Sequence, residues 1–179
     1  MIKVNDSGTV FWVTGLSGAG KTTLASKLAQ YLKENGKSVV FLDGDELREV
    51  FGDIHAHTRS ERLALAKRYS RLCKMLSDQN KDVVCATISM FHEVQDWNRA
   101  NIENYIEIFI DVPIEILVKR DQKRLYSHAL AGKIENVMGV DVVAEFPVRP
   151  DLTIVNDGAQ GIDEIFLTLI TGLESQDEY

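Results

Sequence analysis

A glycine-rich motif constrains the fold of this chain more than any other part of its sequence. Residues 15–22 read Gly-Leu-Ser-Gly-Ala-Gly-Lys-Thr, the full pattern of a phosphate-binding loop. Apolar residues 10–14 precede the motif and an amphipathic stretch over 21–34 follows it, so we expect it to join a strand to a helix. Glycines let backbone N–H groups turn towards a phosphate, and the start of a helix attracts the same anion. The motif therefore predicts a nucleoside triphosphate site.

Two side chains at the end of the motif are expected to act on the phosphates. Lys21 brings a positive charge to the β- and γ-phosphates, and the hydroxyl of Thr22 can bind magnesium. ATP and Mg²⁺ are thus the predicted cofactors. The candidate ATP contacts of this segment are Gly15, Ser17, Gly18, Ala19, Gly20, Lys21, Thr22 and Thr23.

A second group of polar residues follows the next apolar run. Asp43 and Asp45 flank a glycine, and Arg48 comes one helical turn later, where it would clamp an anionic acceptor. Beside a phosphate loop, one carboxylate can hold magnesium while the other accepts a proton from an acceptor hydroxyl. We expect Asp43 to bind the metal with Thr22, although the sequence leaves open which aspartate is the base and whether Asp45 only caps a turn. The candidate catalytic residues are Lys21, Asp43 and Asp45.

Short apolar runs alternate with longer amphipathic ones along the chain, a pattern typical of a parallel sheet covered by helices on both faces. The predicted strands span 10–14, 38–43, 82–87, 106–111 and 152–155. The predicted helices span 21–34, 59–78, 94–104, 114–120 and 162–173. Residues 121–150 break the alternation, and a loop of that length in a compact domain indicates a lid. We therefore predict an α/β fold in which residues 1–179 form one domain.

Composition narrows the classes of partner. The net charge of the 179-residue chain is −7, which makes a nucleic acid polymer or an anionic membrane an unfavourable partner. Residues 1–8 contain too many polar side chains for a secretion signal, and no apolar run is long enough to cross a bilayer. Cys73 and Cys85 lie in apolar stretches without metal-ligand spacing, so we expect reduced core thiols in a cytoplasmic protein. The guanine-reading tetrapeptide Asn-Lys-x-Asp is absent from the sequence, which favours a small-molecule kinase over a GTPase.

Several further motifs resemble the adenylylsulfate kinase family, whose members phosphorylate the ribose 3′-hydroxyl of adenosine 5′-phosphosulfate. Besides the phosphate loop, the matching segments are 42–48 (Leu-Asp-Gly-Asp-Glu-Leu-Arg), 88–89 (Ile-Ser), 108–113 (Ile-Phe-Ile-Asp-Val-Pro), 120–126 (Arg-Asp-Gln-Lys-Arg-Leu-Tyr), 131–134 (Ala-Gly-Lys-Ile) and 150–152 (Pro-Asp-Leu). The resemblance implies a P-loop kinase fold, that is, a three-layer sandwich with a five-stranded parallel sheet. It also implies a mobile lid near residues 121–150 and a homodimer.

The same resemblance assigns roles to residues outside the phosphate loop. Arg120 would lie near the ATP phosphates, and Ser89 would position the substrate. The acceptor nucleotide itself is the expected small-molecule partner. Its implied contacts are Asp45, Arg48, His57, Arg62, Ile88, Ser89, Lys123, Leu125 and Val137.

The residues expected around the acceptor base depart from the family pattern. His57 and Val137 take the places of the two phenylalanines that sandwich adenine in the family. Leu65 replaces an asparagine, and Met90 replaces a proline. Loss of the two stacking faces would weaken adenine binding by about 1–3 kcal/mol each. Because a pyrimidine needs less stacking surface, we expect a different acceptor, and the chain resembles the related cytidine diphosphoramidate kinases of capsule biosynthesis.

The identity of the acceptor stays open at the level of the sequence. Hydrogen bonds to the edge of cytosine would come from His57, His92 or Glu93. If Phe91 or Phe146 compensates for the lost rings, the acceptor is adenylylsulfate as in the family. A kinase of a sugar or antibiotic hydroxyl and a non-catalytic ATP-binding module are the remaining hypotheses.

Overall fold

A parallel sheet of five strands organises the chain in the computed structural model, which describes residues 7–52, 58–121 and 124–175. The strands are β1 Val10–Thr14, β2 Val39–Asp43, β3 Asp82–Ala86, β4 Tyr105–Asp111 and β5 Leu152–Val155. Their order across the sheet is β2-β3-β1-β4-β5, and neighbouring strands are parallel. Every residue of β1 is buried, because this strand lies at the centre of a sheet that helices cover on both faces.

Helices form the two outer layers. They are α1 Lys21–Glu34, α2 Gly44–Val50, α3 Arg59–Ser77, α4 His92–Asn101, α5 Ile114–Arg120, α6 Leu125–Leu130 and α7 Ile162–Glu174. α1 packs with α7 on one face, where Lys27 and Asp163 form an ion pair of 2.8 Å. α3 packs with α4 on the other face. The predicted α/β three-layer sandwich is confirmed.

The predicted strands and helices are all present, with differences of up to three residues at their ends. The largest differences are in α4, which spans His92–Asn101 instead of the predicted 94–104. α4 starts early because the carboxylate of Glu145, far away in the sequence, accepts a hydrogen bond of 2.7 Å from the His92 N–H group. A contact of this kind cannot be read from the local sequence.

Two short helices were not predicted. At the start of α2 the side chain of Asp43 accepts a 2.8 Å hydrogen bond from the Asp45 N–H group and caps the helix. α6 lies within the segment predicted to be a loop. There the Asp121 carboxylate accepts hydrogen bonds of 3.0 Å from the N–H groups of Tyr126 and Ser127. The predicted lid segment is thus partly helical.

The core lies mainly between the sheet and these helices. Trp12 and Phe91 are among its largest fully buried side chains, and Cys73 and Cys85 are buried free thiols, as predicted. Within the described ranges, no helix has the length and apolar character needed to span a membrane.

Candidate active site

The phosphate loop connects the end of β1 to the start of α1. Its backbone requires glycine at Gly18 and Gly20, whose φ angles are +77° and +97°. Gly20 also lies against Asn156, since a Cβ atom at Gly20 would come within 2.9 Å of the Asn156 Nδ2 atom. The loop is therefore shaped by its glycines and by a residue that follows β5.

Lys21 is half-buried at the base of the loop. Its ammonium group donates a 2.8 Å hydrogen bond to the carbonyl oxygen of Leu16, within the loop itself. Burial lowers the pKa of Lys21 from 10.5 to about 8, against the opposing effect of the Asp43 and Asp45 carboxylates. A half-buried cation with this pKa is poised to gain a stronger anionic partner.

Thr22 and the two aspartates form a connected polar group beside Lys21. The Thr22 hydroxyl donates a 2.7 Å hydrogen bond to Asp43 Oδ2, and Asp43 Oδ1 accepts the N–H group of Asp45. Both carboxylate oxygens of Asp43 are thus engaged. A hydroxyl and a carboxylate are hard oxygen ligands of the type magnesium prefers. Across residues 7–52, 58–121 and 124–175, no group of three or more His, Cys, Asp or Glu side chains is arranged to hold a metal.

One cavity of about 350 Å³ joins this group to a second set of side chains. The first set, here called the donor half, comprises Ser17, Gly18, Gly20, Lys21, Thr22, Thr23 and Asp43. The second set, here called the acceptor half, comprises Gly44, Asp45, Arg48, Arg62, Leu65, Tyr69, Ala86, Thr87, Ile88, Ser89, Phe91 and Met138. The size of the cavity suits a small-molecule ligand.

Two arginines bring positive charge to the acceptor half. Arg62 Nη2 donates a 2.7 Å hydrogen bond to the carbonyl oxygen of Asn136, so α3 is tied to the lid segment. Burial lowers the pKa of Arg62, and the nearby Arg48 cation lowers it further, while Asp141 acts in the opposite direction. Two close guanidinium groups suit a ligand with more than one negative charge.

The end of β3 supplies a polar edge to the same half. The Thr87 and Ser89 hydroxyls are 2.7 Å apart, and the Thr14 hydroxyl donates a 2.6 Å hydrogen bond to the carbonyl oxygen of Ile88. Ser89 has a φ angle of +23°, which is uncommon for a residue with a side chain. These contacts fix Ile88 and Ser89 at the wall of the cavity.

The lid segment is joined to the phosphate loop by Tyr126, and α5 is joined to it by Arg120. The Tyr126 hydroxyl donates a 2.7 Å hydrogen bond to the Ser17 carbonyl oxygen. Arg120 Nη2 donates to the backbone oxygen and the Oδ1 atom of Asn156 at 2.9 and 3.0 Å, and Asn156 Nδ2 in turn donates to the Ala19 carbonyl oxygen at 2.8 Å. Asn156 was not predicted as a site residue. Its position directly after β5 is the signal that could have identified it, because ligands of such sheets bind at the carboxyl ends of the strands.

Not every residue predicted to contact the acceptor lines the cavity. Val137 is buried with its N–H group directed at the Asp141 carboxylate, and its neighbour Met138 lines the cavity instead. Leu125 begins α6 and is not among the described lining residues. The predicted contacts His57 and Lys123 lie outside the described residues.

The two further side chains considered for reading a base also have other partners. His92 Nε2 lies 2.9 Å from the carbonyl oxygen of Phe146, and Glu93 forms an ion pair of 2.5 Å with Lys67. Neither is among the described lining residues. Tyr69 and Met138 line the acceptor half although the sequence did not assign them to it, and Phe91, considered as a replacement for the lost rings, lines it as well.

Comparison with known proteins agrees with this geometry. The profile of the adenylylsulphate kinase family matches residues 7–155. A cytidine diphosphoramidate kinase of Campylobacter jejuni (serotype O:2) is 43% identical over 155 residues, covering 87% of this chain and 90% of the relative. The chain belongs to the adenylylsulfate kinase family.

Other members are similar over most of their length. An adenylyl-sulfate kinase of Pseudomonas aeruginosa is 40% identical over 147 residues, covering 81% of this chain and 75% of the relative. Among solved structures, the APS kinase of Mycobacterium tuberculosis in complex with AMPPNP and APS superposes with a TM-score of 0.84 at 32% identity, covering 94% and 98% of the two chains. The chain is accordingly a P-loop kinase, that is, a phosphotransferase, and the hypothesis of a non-catalytic module is set aside.

Proposed function

We propose that this kinase uses ATP and magnesium to phosphorylate the ribose 3′-hydroxyl of a 5′-activated nucleotide, with cytidine diphosphoramidate as the acceptor. The observation that carries the proposal is that one cavity is lined both by the phosphate loop and by an arginine from each of α2 and α3. Lys21 and Thr22 line the donor half, whereas Arg48 and Arg62 line the acceptor half. The cavity therefore offers positive charge to two anionic groups, the triphosphate of ATP and the 5′-group of the acceptor.

The donor half is suited to the triphosphate of ATP. Lys21 and the loop amides would bind the β- and γ-phosphates, with Ser17, Gly18 and Thr23 at the wall of the cavity. Thr22 and Asp43 would hold magnesium, which when bound neutralises charge on the transferred phosphoryl group. Arg120 would approach the nucleotide from α5, where its contacts with Asn156 already hold it near the loop.

Asp45 is the better of the two aspartates for the proton. Asp45 lines the acceptor half, whereas Asp43 lies beside Thr22, with which it would hold magnesium. In the proposed step the 3′-hydroxyl oxygen bonds to the γ-phosphorus and the bond to the β–γ bridging oxygen breaks. The hydroxyl proton passes to Asp45, and ADP leaves.

The choice of acceptor is supported by the walls of the acceptor half. Leu65 and Met138 are aliphatic, and the buried Val137 stands where the family has an aromatic ring, although Tyr69 and Phe91 line other parts of the same half. A small pyrimidine depends less on such stacking. The similarity to a protein named cytidine diphosphoramidate kinase supports the same choice. Adenylylsulfate is the second candidate, supported by the family match, by the relative from Pseudomonas aeruginosa and by the aromatic ring of Phe91 at the acceptor half.

A coupled assay of ADP release tests the proposal with both nucleotides. We expect kcat/KM for cytidine diphosphoramidate to exceed that for adenylylsulfate by at least about tenfold, the effect of roughly one lost stacking face. An Asp45→Asn variant, which should bind ATP but lose acceptor-dependent turnover, excludes contaminating kinases. Efficient turnover of adenylylsulfate at micromolar concentration would transfer the assignment to the second candidate.

We further propose that the enzyme acts as a homodimer in the cytoplasm. The two buried free thiols are compatible with a reducing compartment, and the family resemblance supports the dimer. Light scattering coupled to gel filtration would test the assembly, since one chain has a mass of 20.1 kDa.

A further inference from the structure

Glu145, near the end of the lid segment, uses all of its polar groups to hold the wall of the acceptor half. Its carboxylate accepts the His92 N–H group at 2.7 Å and also binds the Arg59 guanidinium. Its N–H group donates to the Met90 carbonyl oxygen at 3.2 Å, and its own carbonyl oxygen accepts Gln95 Nε2 at 3.1 Å. One residue therefore joins the lid segment, the first residue of α3 and the start of α4.

These contacts replace a cap that α4 lacks. The residue before the helix is Phe91, whose side chain makes no capping hydrogen bond. A carboxylate at the start of a helix satisfies a free N–H group and interacts favourably with the helix dipole. Although burial opposes the change, the hydrogen bond from His92 and the Arg59 cation lower the pKa of Glu145. Glu145 is thus held as a carboxylate at neutral pH.

The Arg59 guanidinium, which pairs with Glu145, also contacts an aromatic ring that lines the cavity. The Arg59 guanidinium lies 5.4 Å from the centre of the Phe91 ring, and Phe91 lines the acceptor half. Arg59 is also the first residue of α3, the helix that presents Arg62 and Leu65 to the same half. The Glu145 carboxylate therefore fixes two walls of the acceptor half relative to each other without itself lining the cavity.

We propose that Glu145 is a positioning residue that sets the affinity of the kinase for its acceptor. The inference rests on the proposed function, in which the acceptor nucleotide occupies the half lined by Arg62 and Phe91. ATP binds in the donor half, which Glu145 does not contact. Its removal should therefore change the KM for the acceptor and leave the KM for ATP and the kcat at saturation nearly unchanged.

A Glu145→Gln variant keeps the shape of the side chain and removes its charge. With whichever nucleotide the wild type phosphorylates, we expect the acceptor KM to rise roughly tenfold, as for the loss of one charge-assisted hydrogen bond. The KM for ATP and kcat should stay within about twofold. An Arg59→Met variant should show the same pattern, and it tests the proposal if Glu145→Gln does not fold. An equal rise in both KM values, or a fall in kcat alone, would overturn the proposal.

Glu93→Gln is the matched control. Glu93 is in the first turn of α4 and pairs with Lys67 of α3, so its carboxylate also joins α3 to α4. Glu93 is not among the residues described as lining the cavity. It should leave both KM values unchanged. Hydrogen exchange of the amides at 90–95 gives a readout that does not depend on the acceptor: exchange should be faster in Glu145→Gln than in Glu93→Gln. Failure of both nucleotides as acceptors would sink the proposed function alone, whereas unchanged exchange would sink the role of Glu145.

Discussion

The two halves of the cavity are built in different ways. The donor half comes from one short segment, residues 17–23, together with Asp43, the last residue of β2. The acceptor half gathers residues from 44–48, 62–69 and 86–91, and Met138 from the lid segment. The donor half is therefore specified by local backbone geometry, whereas the acceptor half depends on how distant elements pack. Substitutions in the acceptor half should accordingly alter the choice of acceptor without altering the binding of ATP.

The largest effect is expected from Lys21, which tests the donor half. Lys21→Met removes the half-buried cation that would meet the β- and γ-phosphates, and we expect kcat to fall about a thousandfold. The same change should stabilise the free protein. The folded state holds the pKa of Lys21 below its unfolded value, so burial of this charge costs stability below about pH 8, and the cost disappears between pH 8 and 10.5.

Thermal unfolding of the free Lys21→Met variant measures that second effect. We expect Tm to rise by roughly a few degrees at pH 7 and by less at pH 10. An inactive variant whose Tm falls at pH 7 would mean that the hydrogen bond to Leu16 outweighs the burial of charge. In that case the lysine would contribute to the shape of the loop as well as to chemistry.

A smaller, acceptor-specific effect is expected from Arg62. Arg62→Met removes a guanidinium that lines the acceptor half, and kcat/KM for the acceptor should fall about a hundredfold, since hydrogen bonds to charged groups are worth about 1.5–3 kcal/mol. The KM for ATP should change little. Arg71→Met, on the same helix but directed at the Trp97 ring, is the control and should retain full activity. Equal losses for ATP and acceptor in Arg62→Met would show that the two halves are not separable.

The same contrast explains how much could be predicted from the sequence. Gly18, Gly20 and Lys21 were identified because adjacent residues with fixed spacing carry their own geometry. Met138 was not, since the register of the lid segment depends on the Asp141 carboxylate holding the N–H groups of Asn136 and Val137. That register buries Val137 and turns its neighbour towards the cavity.

Two further findings depend on distant packing. Glu145 caps a helix that begins 53 positions earlier in the chain, and Asn156 reaches the phosphate loop across 137 positions. Periodicity indicates neither contact, because each joins elements that meet only after the sheet has formed. The five parallel strands and the helices that cover them were accessible in outline from the alternating pattern, whereas the order of the strands and these side-chain contacts were not.

The smallest effect expected in the donor half is its dependence on pH. Lys21 attracts phosphate only when protonated, and burial lowers its pKa to about 8 in the free protein. The bound triphosphate should raise the pKa of Lys21 again. ATP binding at pH 9 must therefore be accompanied by uptake of a proton that Lys21 already carries at pH 7. We expect Kd for ATP to rise about tenfold between pH 7 and pH 9. Calorimetry in buffers of different ionisation enthalpy would show proton uptake at pH 9 only, and Lys21→Met should abolish both the uptake and the pH dependence. If the variant keeps them, the titrating group lies elsewhere, and the donor half would no longer be explained by its local loop alone.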